Sequence, residues 1–148
     1  MADLYEILLV DGGTRWHAGW VVDDATETDV LLRDGTRVPV FASRAGLEHF
    51  SQSTRMELQD DLPDEVDLDL GGWLSRGTPE PPLAEVSELW HVLVDDPAAG
   101  KALAGEVIGE AYDDLVEQEP DWFASHGATA RTALADAVRR LRGVLRPA

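Results

Sequence analysis

Asp34-Gly35-Thr36-Arg37-Val38-Pro39-Val40-Phe41-Ala42-Ser43-Arg44-Ala45-Gly46-Leu47-Glu48-His49-Phe50 is where the sequence changes from strand to helix. Asp34-Gly35 lies between two apolar runs, the setting of a tight hairpin turn, and predicts arms over Val30–Arg33 and Arg37–Phe41. Val38 and Val40 alternate as a half-buried strand should. Pro39 cannot donate to a ladder, so this arm is expected at a sheet edge or on a bulge. Ser43 then stands where a helix needs a cap, and Leu47 and Phe50 fall three apart on one helical face. A helix is expected from Arg44 to about Gln52.

Working back towards the start, Leu4–Val10 is apolar apart from Glu6 and suits a largely buried strand. Gly12-Gly13 marks a turn. Trp16, Ala18, Trp20 and Val22 share one face of a second strand, with His17 and Gly19 on the other. The acidic stretch Asp23–Thr28 is a loop. The first part therefore predicts an antiparallel meander of about four strands followed by a helix.

Working forward, Val66, Leu68 and Leu70 alternate with Asp67 and Asp69, which suits a short strand. Equally, Asp67 or Asp69 could cap a short helix carrying Trp73 and Leu74, an option that Gly71-Gly72 weakens. Leu83, Val86, Leu89, Trp90, Leu93 and Val94 follow the helical period until Pro97. Leu103, Val107, Ala111 and Leu115 step by four, widened by Ile108 and Tyr112, and Pro120 closes that helix. Leu134, Val138, Leu141 and Leu145 mark a last helix over Ala128–Leu145, with Arg139, Arg140, Arg142 and Arg146 at its negative end. The expected class is α+β: an N-terminal antiparallel β-meander plus a helix, then a mainly helical half packed on it. It reads as a single domain over 1–148, with 1–56 as meander and first helix, 57–82 as an acidic connecting segment and 83–148 as the helical part.

The chain has 148 residues, no cysteine and a formal net charge of −17. The missing cysteines exclude disulfides, thiolate metal sites and cysteine nucleophiles. Eighteen carboxylates against two cations, Arg76 and Lys101, fall between Glu57 and Glu119. Such a field repels nucleic acid and anionic lipid and attracts cationic surfaces. Eleven of the twelve basic residues are arginine and asparagine is absent, a bias that GC-rich coding would also produce. The N-terminal apolar run holds Asp3 and Glu6 and has no basic region before it, unlike a secretory leader. No stretch nears the roughly 18 apolar residues of a membrane span. A cytoplasmic location is the expectation, with no membrane association.

Motifs for chemistry fail one after another. His17, His49, His91 and His126 are dispersed, and no pair has ligand spacing on a helix. Glu65, Asp67 and Asp69 alternate like calcium ligands, but Leu70 stands where the loop glycine must be. Gly100-Lys101 ends like a phosphate loop, yet Asp95 occupies its first glycine position. Ser43 follows a strand and precedes a helix, but Phe41-Ala42 and Arg44-Ala45 are not the small-residue frame of a nucleophile elbow. No enzyme, cofactor or metal site is expected.

The reading that remains is a binding module without catalysis, facing a basic protein partner, with an immunity or accessory protein as its sharpest form. Its candidate contact residues are Asp60, Asp61, Asp64, Glu65, Asp67 and Asp69, with Trp73 or Trp122 as an exposed aromatic anchor. Two alternatives stand beside it. One is a ligand-binding or enzymatic domain with a pocket between sheet and helices, where His17, Arg37 or His91 would converge. The other is a structural component that self-associates through the sheet edge or the arginine-rich helix end.

Two resemblances accompany these residues. Arg37–Phe50 resembles the strand-to-helix segment of SseB-type N-terminal domains, with proline, an apolar residue, phenylalanine and a hydroxyl residue ahead of a helix. The wider layout is similar to a group of small acidic actinobacterial proteins of unassigned function. There a Trp-x-x-x-Trp strand (here Trp16 to Trp20) precedes an Asp-Leu-Asp segment (Asp67-Leu68-Asp69) and a Leu-x-x-Trp helix (here Val86 to Trp90). That group continues Trp-Asn where this chain has Trp90-His91, and the residues after Pro97 lie outside the resemblance. Neither resemblance implies an activity or a functional residue.

Overall fold

A computed structural model describes residues 2–148 as an α+β fold. It divides into two compact units, Met1–Val66 with Val144–Ala148, and Asp67–Gly143. The division falls inside the acidic 57–82 segment rather than at either of its ends.

The first unit is built on β1 (Ala2–Asp11) and β2 (Thr14–Asp23), joined by the Gly12-Gly13 turn and paired antiparallel from Ala2↔Asp23 to Asp11↔Thr14. Short strands β3 (Thr28–Leu31), β4 (Val38–Phe41), β5 (Asp64–Asp67) and β6 (Leu145–Pro147) complete the sheet in the order β5-β1-β2-β4-β6, with β3 also on β2. Strand alternation places Leu4, Glu6 and Leu8 on the face that carries His17 and Gly19.

The Asp34-Gly35 turn forms, but not as the hairpin that the sequence predicts. Asp34 and Arg37 exchange both backbone hydrogen bonds, at 2.8 and 3.2 Å, and Gly35 takes the left-handed φ of +67°. Beyond that bridge the two arms do not pair with each other. β3 lies along Trp20–Asp23 and β4 along His17–Ala18, both antiparallel to β2. The ten-residue β2 offers ladder partners to both arms in succession, and the turn becomes an excursion between them.

Pro39 likewise departs from expectation, since β4 is flanked by β2 and by β6 rather than forming an edge. Val38 donates to Val144, and Val40 accepts from Ala148, so the two valines direct their backbone groups towards β6. By alternation Pro39 faces β2 just past the last pair, Ala18↔Val40, where no ladder donor is required.

Gly19 permits the excursion to close. A Cβ there would sit 2.8 Å from Leu32 Cβ and 2.9 Å from Leu4 Cδ1. Gly19→Ala is expected to lose about 1–3 kcal/mol through overpacking. Urea unfolding checks this, and an unchanged midpoint would contradict the packing.

α1 (Arg44–Thr54) starts as its cap dictates. Ser43 is extended at φ −147°, and its Oγ accepts from the Gly46 amide at 3.4 Å. Leu47 is buried, and Phe50 meets Phe41 of β4 with ring centroids 5.6 Å apart.

The strand read from Val66, Leu68 and Leu70 ends already at Asp67, so Leu68 and Leu70 fall outside it, and the short helix carrying Trp73 and Leu74 follows. After β5, the Asp67 carboxylate accepts from the amides of Asp69 and Gly71, and Asp69 accepts from the Ser75 amide and hydroxyl. These bonds set a 3-10 turn, Leu70–Gly72, and the short α2 (Trp73–Arg76), with the two glycines at positive φ. α3 (Leu83–Val94) buries Val86, Leu89, Trp90, Val92 and Leu93. The buried Asp96 then accepts from the amides of Ala98 and Ala99 and starts a second 3-10 turn, Ala99–Leu103.

α4 (Glu106–Val116) buries Ala111 and Leu115, but Val107, expected on the same stripe, is 65% exposed. Leu103 belongs to the preceding 3-10 turn, so the step of four breaks at the helix start. α5 spans Trp122–Arg142 instead of Ala128–Leu145. It begins a turn and a half earlier, and Leu145 is on β6, whose ladder with β4 takes the chain after Gly143. Among the described residues no helix is long and apolar enough to cross a membrane.

Candidate protein-binding surface

The exposed acidic segment Asp60–Glu65 is positioned by a charged cluster in the first unit. Glu6 interrupts the apolar run of β1 and is 7% exposed. A buried carboxylate needs partners, and it has two. One oxygen meets His17 Nδ1 across the β1–β2 ladder, and the other accepts from Arg44 at 3.0 Å. Arg44, in the first turn of α1, also donates to Glu48 at 3.0 Å and to the Gln59 carbonyl at 2.9 Å. Its last contact is with Asp60, at 3.6 Å.

Burial lowers the proton affinity of Arg44, but hydrogen bonds to Glu6 and then Glu48 outweigh it and hold the guanidinium above its ordinary pKa. The arginine is a permanent cation that ties the entry of the acidic segment to the sheet. On the sheet side, Gln59 donates from its backbone to Leu4 at 2.8 Å.

Beyond this clamp the chain carries Asp60, Asp61, Leu62, Pro63, Asp64 and Glu65. The four carboxylates are exposed, Asp60 completely, and Glu65 pairs with Arg15. Leu62 is 94% exposed, the largest exposure among the big apolar side chains described. An apolar side chain held in water between exposed carboxylates along the chain is the feature the sequence reading missed. Leucine within an acidic run has no periodicity to betray it; the signal was the isolation of a single large apolar residue in Asp-Asp-Leu-Pro-Asp.

The other candidates separate from this surface. Asp67 and Asp69 spend their carboxylates on backbone amides and Ser75, so they shape the turn into α2. Trp73 and Trp122 are 3% and 1% exposed, which overturns their role as exposed anchors. Trp122 packs edge-on against Trp90 and Phe123, and its Nε1 donates to the Ala111 carbonyl at 2.8 Å. Acids, glycine and proline flank both tryptophans, but the large apolar area of each decides its burial.

Two hollows among the described residues do not gather the residues suggested for a pocket. A hollow of about 460 Å³ in the first unit is lined by Phe41, Phe50, His49 and Ser53, and one of about 680 Å³ in the second by Ile108, Thr129, Thr132 and Asp136. His17, Arg37 and His91 line neither. His17 is engaged by Glu6, and His126 pairs with Asp114 at 2.6 Å between α4 and α5. Asp136 is held below the ordinary carboxylate range by hydrogen bonds from Arg139 and then Arg140, so these arginines are already engaged. Among the described residues, no group of three or more histidines and carboxylates is placed to hold a metal ion.

Neither the protein-family models nor the curated proteins compared with this chain match it. Among solved structures, the chain is similar to the crystal structure of the SatS C-terminal domain in complex with bromine. The TM-score is 0.55 at 16% identity, covering 99% of this chain and 94% of that one. At that identity the likeness concerns the fold alone.

Proposed function

We propose that the protein is a non-enzymatic binding module that engages a basic protein partner through Asp60–Glu65. The observation that carries this reading is Leu62, 94% exposed and flanked by exposed carboxylates. The carboxylates steer a cationic surface into encounter, and burial of Leu62 against it supplies a short-range anchor. A buried leucine side chain is worth about 1.5–3 kcal/mol, enough to matter in a small interface. An immunity or accessory role fits this chemistry, since both require capture of a cationic protein without turnover.

The test is capture from nuclease-treated host lysate at low salt, followed by affinity measurement with the retained basic protein. Asp61→Lys with Asp64→Lys is expected to slow association and flatten its salt dependence, while Asp60 is left in place beside Arg44. Leu62→Ser is expected to weaken binding by roughly tenfold or more, chiefly through faster dissociation. All three positions are exposed, so folding is not at stake. Salt-independent affinity, with both variants binding normally, would rule the reading out.

A further inference from the structure

We infer that β5 receives an extended basic segment of the partner by strand addition, an inference that rests on the acidic-surface reading above. β5 follows Leu62-Pro63 directly and is the terminal strand of the sheet, paired with β1 on one side. In any strand, alternate residues direct their N–H and C=O groups to opposite edges, so a terminal strand presents a row of backbone groups to a further strand.

The side chains of β5 select what can pair there. Its sequence is Asp64-Glu65-Val66-Asp67, with Asp64 and Glu65 exposed and Val66 buried. A second copy of β5 laid against the first would set carboxylates opposite carboxylates, a destabilising arrangement. The other end of the sheet, β6, is a poor donor strand for a neighbouring copy. It is three residues long, Pro147 has no N–H, and each copy brings a net charge of −17. A lysine- or arginine-bearing extended segment has none of these penalties. Its backbone would pair with β5 while its cations meet Asp61 and Asp64 and an apolar residue reaches Leu62. The mode is main-chain recognition with charge as the filter.

The experiment uses the full chain, isotope-labelled, and two synthetic probes at low salt. One is a capped peptide alternating lysine and valine over seven residues. The other has the same sequence methylated on every backbone nitrogen, which preserves charge and side chains but removes every backbone donor. Strand addition predicts binding of the unmodified peptide at least tenfold tighter than its methylated form, with slowed amide exchange within Asp64–Asp67. Equal binding of the two without that protection overturns strand addition and leaves the charge reading standing. Binding of neither overturns the charge reading as well. Concentration-dependent self-association of the free chain that slows amide exchange within Asp64–Asp67 would assign the edge to a second copy and overturn the inference.

Discussion

Trp122→Ala is expected to cost about 3–5 kcal/mol of unfolding free energy, the range for truncating a large buried aromatic. The indole is 1% exposed and lies 6.4 Å from the ring of Trp90 and 5.2 Å from that of Phe123. Its Nε1–H is satisfied by the Ala111 carbonyl, so α5 is fastened to α4 by packing and a hydrogen bond at one residue. Trp122→Phe keeps most of the ring and loses the bond, with an expected cost of about 1–3 kcal/mol. Urea unfolding followed by circular dichroism separates the two variants. A loss under 1 kcal/mol for alanine would mean that Trp122 is not a core residue. Binding of the basic partner should track only the folded fraction, because the proposed anchor is Leu62.

What could be read from the sequence was local, and what could not was a choice among distant partners. Ser43 caps α1 because a hydroxyl ahead of a helical run needs only its neighbour's amide, 3.4 Å away. Val86, Leu89, Trp90 and Leu93 declare one face of α3 by spacing alone. The Asp34-Gly35 turn was equally legible, but its arms faced a choice between each other and β2. The longer edge of β2 won, a result that no window around the turn contains. Leu145 shows the same limit, continuing the helical period of α5 yet taken by the ladder with β4.

The site divides in the same manner. The acidity of 60–69 was plain, but its six carboxylates perform different tasks. Asp67 and Asp69 close a turn, Asp60 and Glu65 touch arginines, and Asp61 and Asp64 flank the exposed leucine. Composition cannot distinguish these roles. Glu6 could have been found, because a carboxylate inside an apolar strand must bring its own partners.

Glu6→Ala is the complementary prediction, expected to cost about 3 kcal/mol, near the lower end for breaking a buried ion pair. The substitution removes one acceptor from His17 and one from Arg44, while Glu48 and Asp60 still hold the guanidinium and temper the loss. The second consequence is more specific. Without Glu6, the guanidinium keeps only its exposed partners Glu48 and Asp60 and shifts towards them, and the Gln59 carbonyl loses the donor that fixes the start of the acidic segment. Amide exchange within 59–65 should then accelerate beyond what the stability loss explains. Replacing the cluster with apolar residues of similar volume, Glu6→Leu with His17→Val and Arg44→Met, is expected to recover much of the stability, since hydrophobic pairs often match buried ion pairs. It should not recover slow exchange, because no methionine can donate to Gln59. Recovery of both would show that the cluster only fills space. Recovery of stability alone would identify Glu6 and Arg44 as the device that presents Leu62 and its carboxylates to a partner.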